Sequence, residues 1–130
     1  MAGNECFLHR KGAVPSDQGL IVIPGSRGTM SYLVKSAGDQ SPNLWSVAHG
    51  AGRKWGRSDC AGRLREKYTT EAMRKTKLGS YVICEDRDLL YEDAPQPYKD
   101  IKAVIGDMVE LGLITVVAIL APVLTYKVRK

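Results

Sequence analysis

The longest apolar run in the chain, residues 111–124, covers 14 positions and contains Pro122. A helix that crosses a bilayer needs about 20 apolar residues, so this run is too short for one and is expected to form a buried turn and strand. The other apolar runs are shorter still. Cys6-Phe7-Leu8 and Leu20-Ile21-Val22-Ile23 are bounded by glycine and proline, the pattern of buried strands, with Pro15-Ser16-Asp17-Gln18-Gly19 as turn chemistry between them. Residues 30–35, 81–84 and 116–124 read as further strands. Helical spacing emerges at Ile101, Val104, Ile105, Met108 and Leu111, and Gly112 ends it. A basic stretch starting near Ser58, a candidate N-cap, leans to helix, and Thr69 or Thr70 is expected to cap a second helix ending near Gly79. Strands and helices are interspersed, so the fold class is α/β (α+β), a mixed β-sheet with flanking helices. Residues 1–130 are expected to form a single domain around one core.

Charge is unevenly distributed. Residues 53–77 hold nine Lys or Arg against three Asp or Glu, a net of +6, while the whole chain carries +5, so the remainder sums to −1. Such a segment reads either as a solvated helical surface or as a face for phosphates. Three cysteines without CxxC spacing argue against a disulfide framework and against a cysteine-based zinc module, and point to a reducing, cytoplasmic setting. The chain opens with Met1-Ala2-Gly3-Asn4 directly ahead of a strand-like segment, residues 5–9, the look of a shortened reading frame.

Four patches carry candidate chemistry. His9-Arg10-Lys11-Gly12-Ala13 could hold phosphate at a strand end. Pro24-Gly25-Ser26-Arg27-Gly28-Thr29, with Ser31 beyond, lets backbone N–H groups approach an anion, although it is neither a Walker A loop nor GxGxxG and reads equally as a β-turn. His49-Gly50-Ala51-Gly52-Arg53 places a histidine beside residues of minimal bulk, open to a large ligand. Imidazole nitrogen can attack a nucleotide phosphorus, and metal ligation is the rival role. Residues 94–100 and the basic tail 126–130 form the fourth, in which Tyr98 could stack on a base.

Taken in order, these motifs resemble the RtcB family of RNA ligases over nearly the whole chain. His9 to Ala13 is similar to that family's His-Arg-Lys-Gly-Ala, residues 23–29 to Ile-Pro-Gly-Ser-x-Gly-Thr, and Ser31-Tyr32 to the Ser-Tyr that follows. Residues 48–53 resemble its His-Gly-Ala-Gly-Arg box, residues 94–100 its Ala-Pro-x-x-Tyr-Lys-Asp, and residues 122–127 its terminal Pro-Leu-Gly-Val-Val-Lys. The short loop after Ala13 and Lys54-Trp55-Gly56-Arg57 look more like the release-factor-H-coupled branch.

The resemblance implies the C-terminal portion of the RtcB-type fold. It also implies joining of RNA 2′,3′-cyclic phosphate or 3′-phosphate ends to 5′-hydroxyl ends, with GTP and manganese, in tRNA splicing or RNA repair. His49 would attack the α-phosphorus of GTP and carry GMP. Pro24, Gly25, Ser26, Arg27, Ser31, Gly50, Ala51 and Gly52 would bind the nucleotide, Arg27 standing where an apolar residue is usual. Tyr98 and Lys127 would contact guanine, and Lys11, Arg53 and Arg57 the phosphates or RNA. The family's manganese ligands (an Asp, a Cys and three His) precede the His-Arg-Lys-Gly-Ala box, and only eight residues do so here. Cys6, Cys60, Cys84 and His9 do not match those positions. The resemblance therefore implies no metal ligand within the chain, no competence of the chain alone, and self-association or docking to an upstream half. A non-catalytic RNA-binding module or a truncated interaction element is the alternative, and no membrane partner is expected.

Overall fold

The computed structural model describes residues 5–129. In chain order the elements are β1 (Ala13–Pro15), β2 (Leu20–Ile23), β3 (Ser31–Ser36), β4 (Ser46–Ala48), α1 (Arg57–Leu64), α2 (Thr70–Met73), β5 (Tyr81–Cys84), α3 (Arg87–Glu92), α4 (Ile101–Glu110), β6 (Ile114–Leu120) and β7 (Leu124–Lys127). Antiparallel and parallel pairings coexist with helices, as the sequence pattern predicts. β2, β3 and β6 make an antiparallel sheet, β1 pairs antiparallel with β4, and β5 pairs parallel with β7.

Alternation along β2 and β3 explains the first core. Ile21 and Ile23 point inward with Tyr32 and Val34, while Leu20 and Val22 face out. α4 lays Ile101, Ile105 and Met108 on this inner face, where Val47 and Ile114 complete the cluster. Asp100 caps α4, its carboxylate accepting from the Lys102 N–H at 2.9 Å. A second buried cluster gathers Cys60 and Leu64 from α1, Met73 from α2, Val82 and Cys84 from β5, and Leu89, Leu90 and Tyr91 from α3. The expected single core is thus two clusters.

Three connections cross from one cluster to the other: residues 49–56, 93–100 and 121–123. The loop 24–30 leaves and re-enters the first cluster but reaches across, because Ser80 Oγ donates to the Arg27 carbonyl at 3.1 Å. The motif segments 49–53 and 94–100 lie in these crossings, and 24–29 lies in the loop that reaches across.

Several local expectations are corrected. Residues 5–9 form no strand: Phe7 is 86% exposed and no described strand pairs with the segment, so its backbone groups have no ladder to join. Ser58 lies inside α1, whose N-cap is Gly56 without a side-chain cap. Thr69 does cap α2, accepting from Ala72 N–H, but α2 stops at Met73, well before Gly79, which occupies the turn into β5 with φ +83°. The run 111–124 is not one buried strand. It turns at Gly112, splits at Pro122 into β6 and β7, and leaves most of both exposed. No helix among the described residues is long and apolar enough to cross a membrane.

Candidate functional site

His49 follows directly on β4, and its N–H donates to the Gly12 carbonyl at 3.1 Å, extending the β1–β4 pairing by one rung. The chain then runs out along Gly50, Ala51 and Gly52. Gly52 has φ +74°, a left-handed conformation that glycine adopts without penalty, and it turns Arg53 back onto residues 97–99. There Arg53 bridges antiparallel to Tyr98, the Lys99 N–H donates to the Gly52 carbonyl at 3.0 Å, and the Lys54 N–H to the Pro97 carbonyl at 2.6 Å. Both ends of the histidine segment are therefore pinned by backbone hydrogen bonds. None of the described side-chain hydrogen bonds involves the His49 ring, and the residue is exposed.

The opposing wall is the loop 24–30. Its hydroxyls fold it onto itself: Gly25 N–H donates to Ser31 Oγ at 3.0 Å and Ser26 N–H to Thr29 Oγ1 at 2.7 Å. A methyl group on Gly25 would sit 2.0 Å from the Met30 carbonyl oxygen, so the loop closes this tightly only with glycine there.

Between the walls lies an open cleft of about 580 Å³, within the usual range of a small-molecule site. Pro24, Gly25 and Ser26 form one side and His49, Gly50, Ala51 and Gly52 the other, with Tyr98 at the floor they share. A smaller adjoining cavity of about 270 Å³ shares Gly25, Ser26 and Tyr98 and adds Arg27, Ser31 and Lys127. Every residue that the sequence marks for the nucleotide lines one of these two connected spaces. Lys11 and Arg57 line neither. Both are exposed, Lys11 before β1 and Arg57 as the first residue of α1.

Arg53 does not face the cleft as a free cation. Its guanidinium pairs with Asp93 at 3.2 Å, donates to Tyr98 Oη at 3.1 Å and to the Glu92 carbonyl at 2.5 Å, and lies over the Tyr98 ring at 4.7 Å. Burial works to lower its pKa, but hydrogen bonding to Tyr98 and Cys60 outweighs this and the net direction is up. Lys127 binds the other oxygen of Asp93 at 3.1 Å. Asp93 is thus the buried carboxylate that ties Arg53 and Lys127 together beside the cavity, and no sequence motif marks it. Its only local signal is an acid, next to Glu92, immediately ahead of the Ala94-Pro95-Gln96-Pro97 loop.

Arg27 is buried, 8% exposed, and none of its three side-chain nitrogens has a hydrogen-bond partner among the described residues. Burial lowers its pKa, opposed mainly by the charge of Asp93. Among the described residues no group of three or more His, Cys, Asp or Glu is placed to hold a metal ion, so this donor set does not fit a manganese centre. Cys6, Cys60 and Cys84 are free thiols, the last two buried.

Residues 1–128 match the family described as tRNA-splicing ligase RtcB. Among curated relatives, the chain is 55% identical over 121 residues to "RNA-splicing ligase RtcB2" of Escherichia coli, covering 93% of this chain and 32% of that protein. It is 36% identical over 110 residues to "tRNA-splicing ligase RtcB" of Nanoarchaeum equitans, covering 82% and 22%. The protein of the same name from Pyrococcus furiosus is 30% identical over 133 residues, covering 90% and 13%. The chain spans a third or less of the length of these relatives.

Proposed function

Because the chain belongs to the RtcB family, we propose that it carries the nucleotide-accepting part of an RNA ligase, with His49 as the nucleophile. The observation that carries this reading is the position of His49: it sits at the edge of a 580 Å³ cleft, held by backbone bonds on both sides, with no bulky neighbour to bar a ligand. GTP, when bound, would supply the α-phosphorus and the pyrophosphate leaving group. An imidazole nitrogen of His49 is the group that would take the guanylyl moiety, forming an N–P bond in exchange for the bond to pyrophosphate. Pro24, Gly25, Ser26 and the Gly50 to Gly52 backbone enclose the nucleotide, while Tyr98 and Lys127 border the adjoining cavity that takes the base. RNA ends are the substrates under this reading, in a cytoplasmic setting consistent with free thiols.

On this reading the chain alone is not competent, because the resemblance puts the manganese ligands upstream of it and a triphosphate needs its charge neutralised and aligned for in-line attack. Labelled GTP with manganese should leave the isolated chain unlabelled. Adding a separately made upstream part of the family's length should give a label that is lost in His49→Ala. Alkali-stable, His49-dependent labelling of the chain by itself would overturn the claim of incompetence. Salt-sensitive RNA binding with no guanylyl transfer in any reconstitution would favour a non-catalytic RNA-binding module.

Exposed apolar faces support docking to the rest of such an enzyme. Leu20 and Val22 stand 59% and 53% exposed on the outer face of the three-stranded sheet, and Tyr81, Ile83, Leu124 and Tyr126 line an outer face of β5–β7. In isolation the chain should therefore self-associate or bind a hydrophobic dye. Sedimentation as a compact monomer with no dye binding would count against docking.

A further inference from the structure

The unpartnered guanidinium of Arg27 belongs to a depression that the guanylyl chemistry leaves unused. A buried cation without a counter-charge or hydrogen bonds is costly, and it persists where something offsets it. The one carboxylate acting on Arg27, Asp93, is already paired with Arg53 and Lys127. Arg27 lines a depression of about 470 Å³ with Lys54, Lys75 and Lys77, whose lining includes neither His49 nor any Asp or Glu. Tyr98 stands in both walls, bordering this depression on one side and the His49 cleft on the other.

The depression does not end there. Tyr68 and Gln96 also line a further hollow of about 300 Å³, where Arg63 and Lys67 stand with one acid, Glu66, and the Arg63 guanidinium lies 5.0 Å over the Trp55 ring. Gln96 Oε1, beside both hollows, is buried without a hydrogen-bond partner among the described residues. Cations in two hollows that share Tyr68 and Gln96, with Trp55 and Tyr98 beside them, suit a single strand, whose phosphates follow the charges while its bases stack. A lone nucleotide phosphate would need only one of the two.

We propose that the depression lined by Arg27, Lys54, Lys75 and Lys77 binds a backbone phosphate of a single-stranded RNA segment leading to the His49 cleft, with Tyr68 and Tyr98 as stacking surfaces. This moves Arg27 from the nucleotide, where the family resemblance puts its position, to the strand. The inference names the RNA path for the ligase reading above and rests on that reading for its direction toward His49.

The test uses the 130-residue chain and a fluorescent single-stranded RNA of about 12 nucleotides ending in a 3′-phosphate, read by anisotropy over a salt series. Lys75→Gln with Lys77→Gln alters exposed side chains and should not affect folding; Arg27→Met replaces a buried charge by an apolar chain of similar length. Each variant should bind RNA about tenfold more weakly, with the salt slope reduced by about 1 for each phosphate left without its cation. Arg27→Met should melt no lower than the parent chain. Lys102→Gln, an exposed lysine of α4 away from these cavities, should bind RNA as the parent does. Binding within twofold of the parent in both the Arg27 and the double-lysine variants would overturn the proposal. So would variants that lose affinity for GTP or inorganic phosphate but keep it for RNA, which would make the ligand a free phosphate. Failure of guanylyl transfer on reconstitution would leave these binding results standing and strike only the ligase reading.

Discussion

Replacing Arg53 by alanine is expected to lower the unfolding free energy by about 3 kcal/mol, the usual scale for leaving a buried carboxylate short of its partner. The loss combines the Asp93 ion pair, the bonds to the Glu92 carbonyl and Tyr98 Oη, and the stacking on the Tyr98 ring. Lys127 remains on Asp93 and limits the damage. Urea unfolding of the chain measures it, and Arg53→Lys should recover only part, because an ammonium cannot reproduce the planar fork. A cation used only for phosphates would behave differently: its removal would cost under about 0.5 kcal/mol, as for other exposed charges. That outcome would show the Asp93 network to be incidental.

Gly25→Ala is the second large effect. A methyl group 2.0 Å from the Met30 carbonyl oxygen cannot be absorbed by a side-chain rotation, so the loop backbone must open. A loss of about 2–3 kcal/mol is expected. The Gly25 N–H to Ser31 hydrogen bond should go with it, and nucleotide affinity of any reconstituted enzyme should fall because Gly25 borders both cavities. Gly62 provides the contrast. It lies within α1 with nothing in the way of an added methyl, and alanine there should stabilise by about 0.5–1 kcal/mol. Thermal melts of the two variants side by side separate a steric requirement from ordinary glycine entropy. Similar melting temperatures for both would refute the tight closure of the loop.

What could be read from residues alone follows the range of the forces involved. β2, β3, β5 and α4 were legible because period-2 and period-3.6 spacing record burial on one face, and Ile21, Val34, Val82, Ile101 and Ile105 are indeed buried. Residues 5–9 have strand-like composition, but a strand exists only with a neighbour to pair with. The end of α2 was misplaced because residues 74–80 favour no single state locally, and Thr76 and Ser80 hydrogen-bond each other across a turn. In the candidate site, the histidine box and the serine loop were visible as motifs, and their meeting at one cleft follows their order. The role of Arg53 was not visible, since its partner Asp93 lies forty positions away and nothing local announces it.

The three crossings between the two clusters also bear on how the protein is made. β3 pairs with β6, Ser36 to Ile114 and Ser31 to Leu120, so nearly the whole second cluster lies between the partners in sequence. The first cluster is therefore not a contiguous fragment, and pairings of such separation slow folding because the intervening segment must close first. On the ribosome the β2–β3 hairpin emerges early with its outer edge unpaired. The His49 cleft gains Tyr98 and Val104 of its lining only when most of the chain has been synthesised, which makes the site one of the last parts of the molecule to take shape.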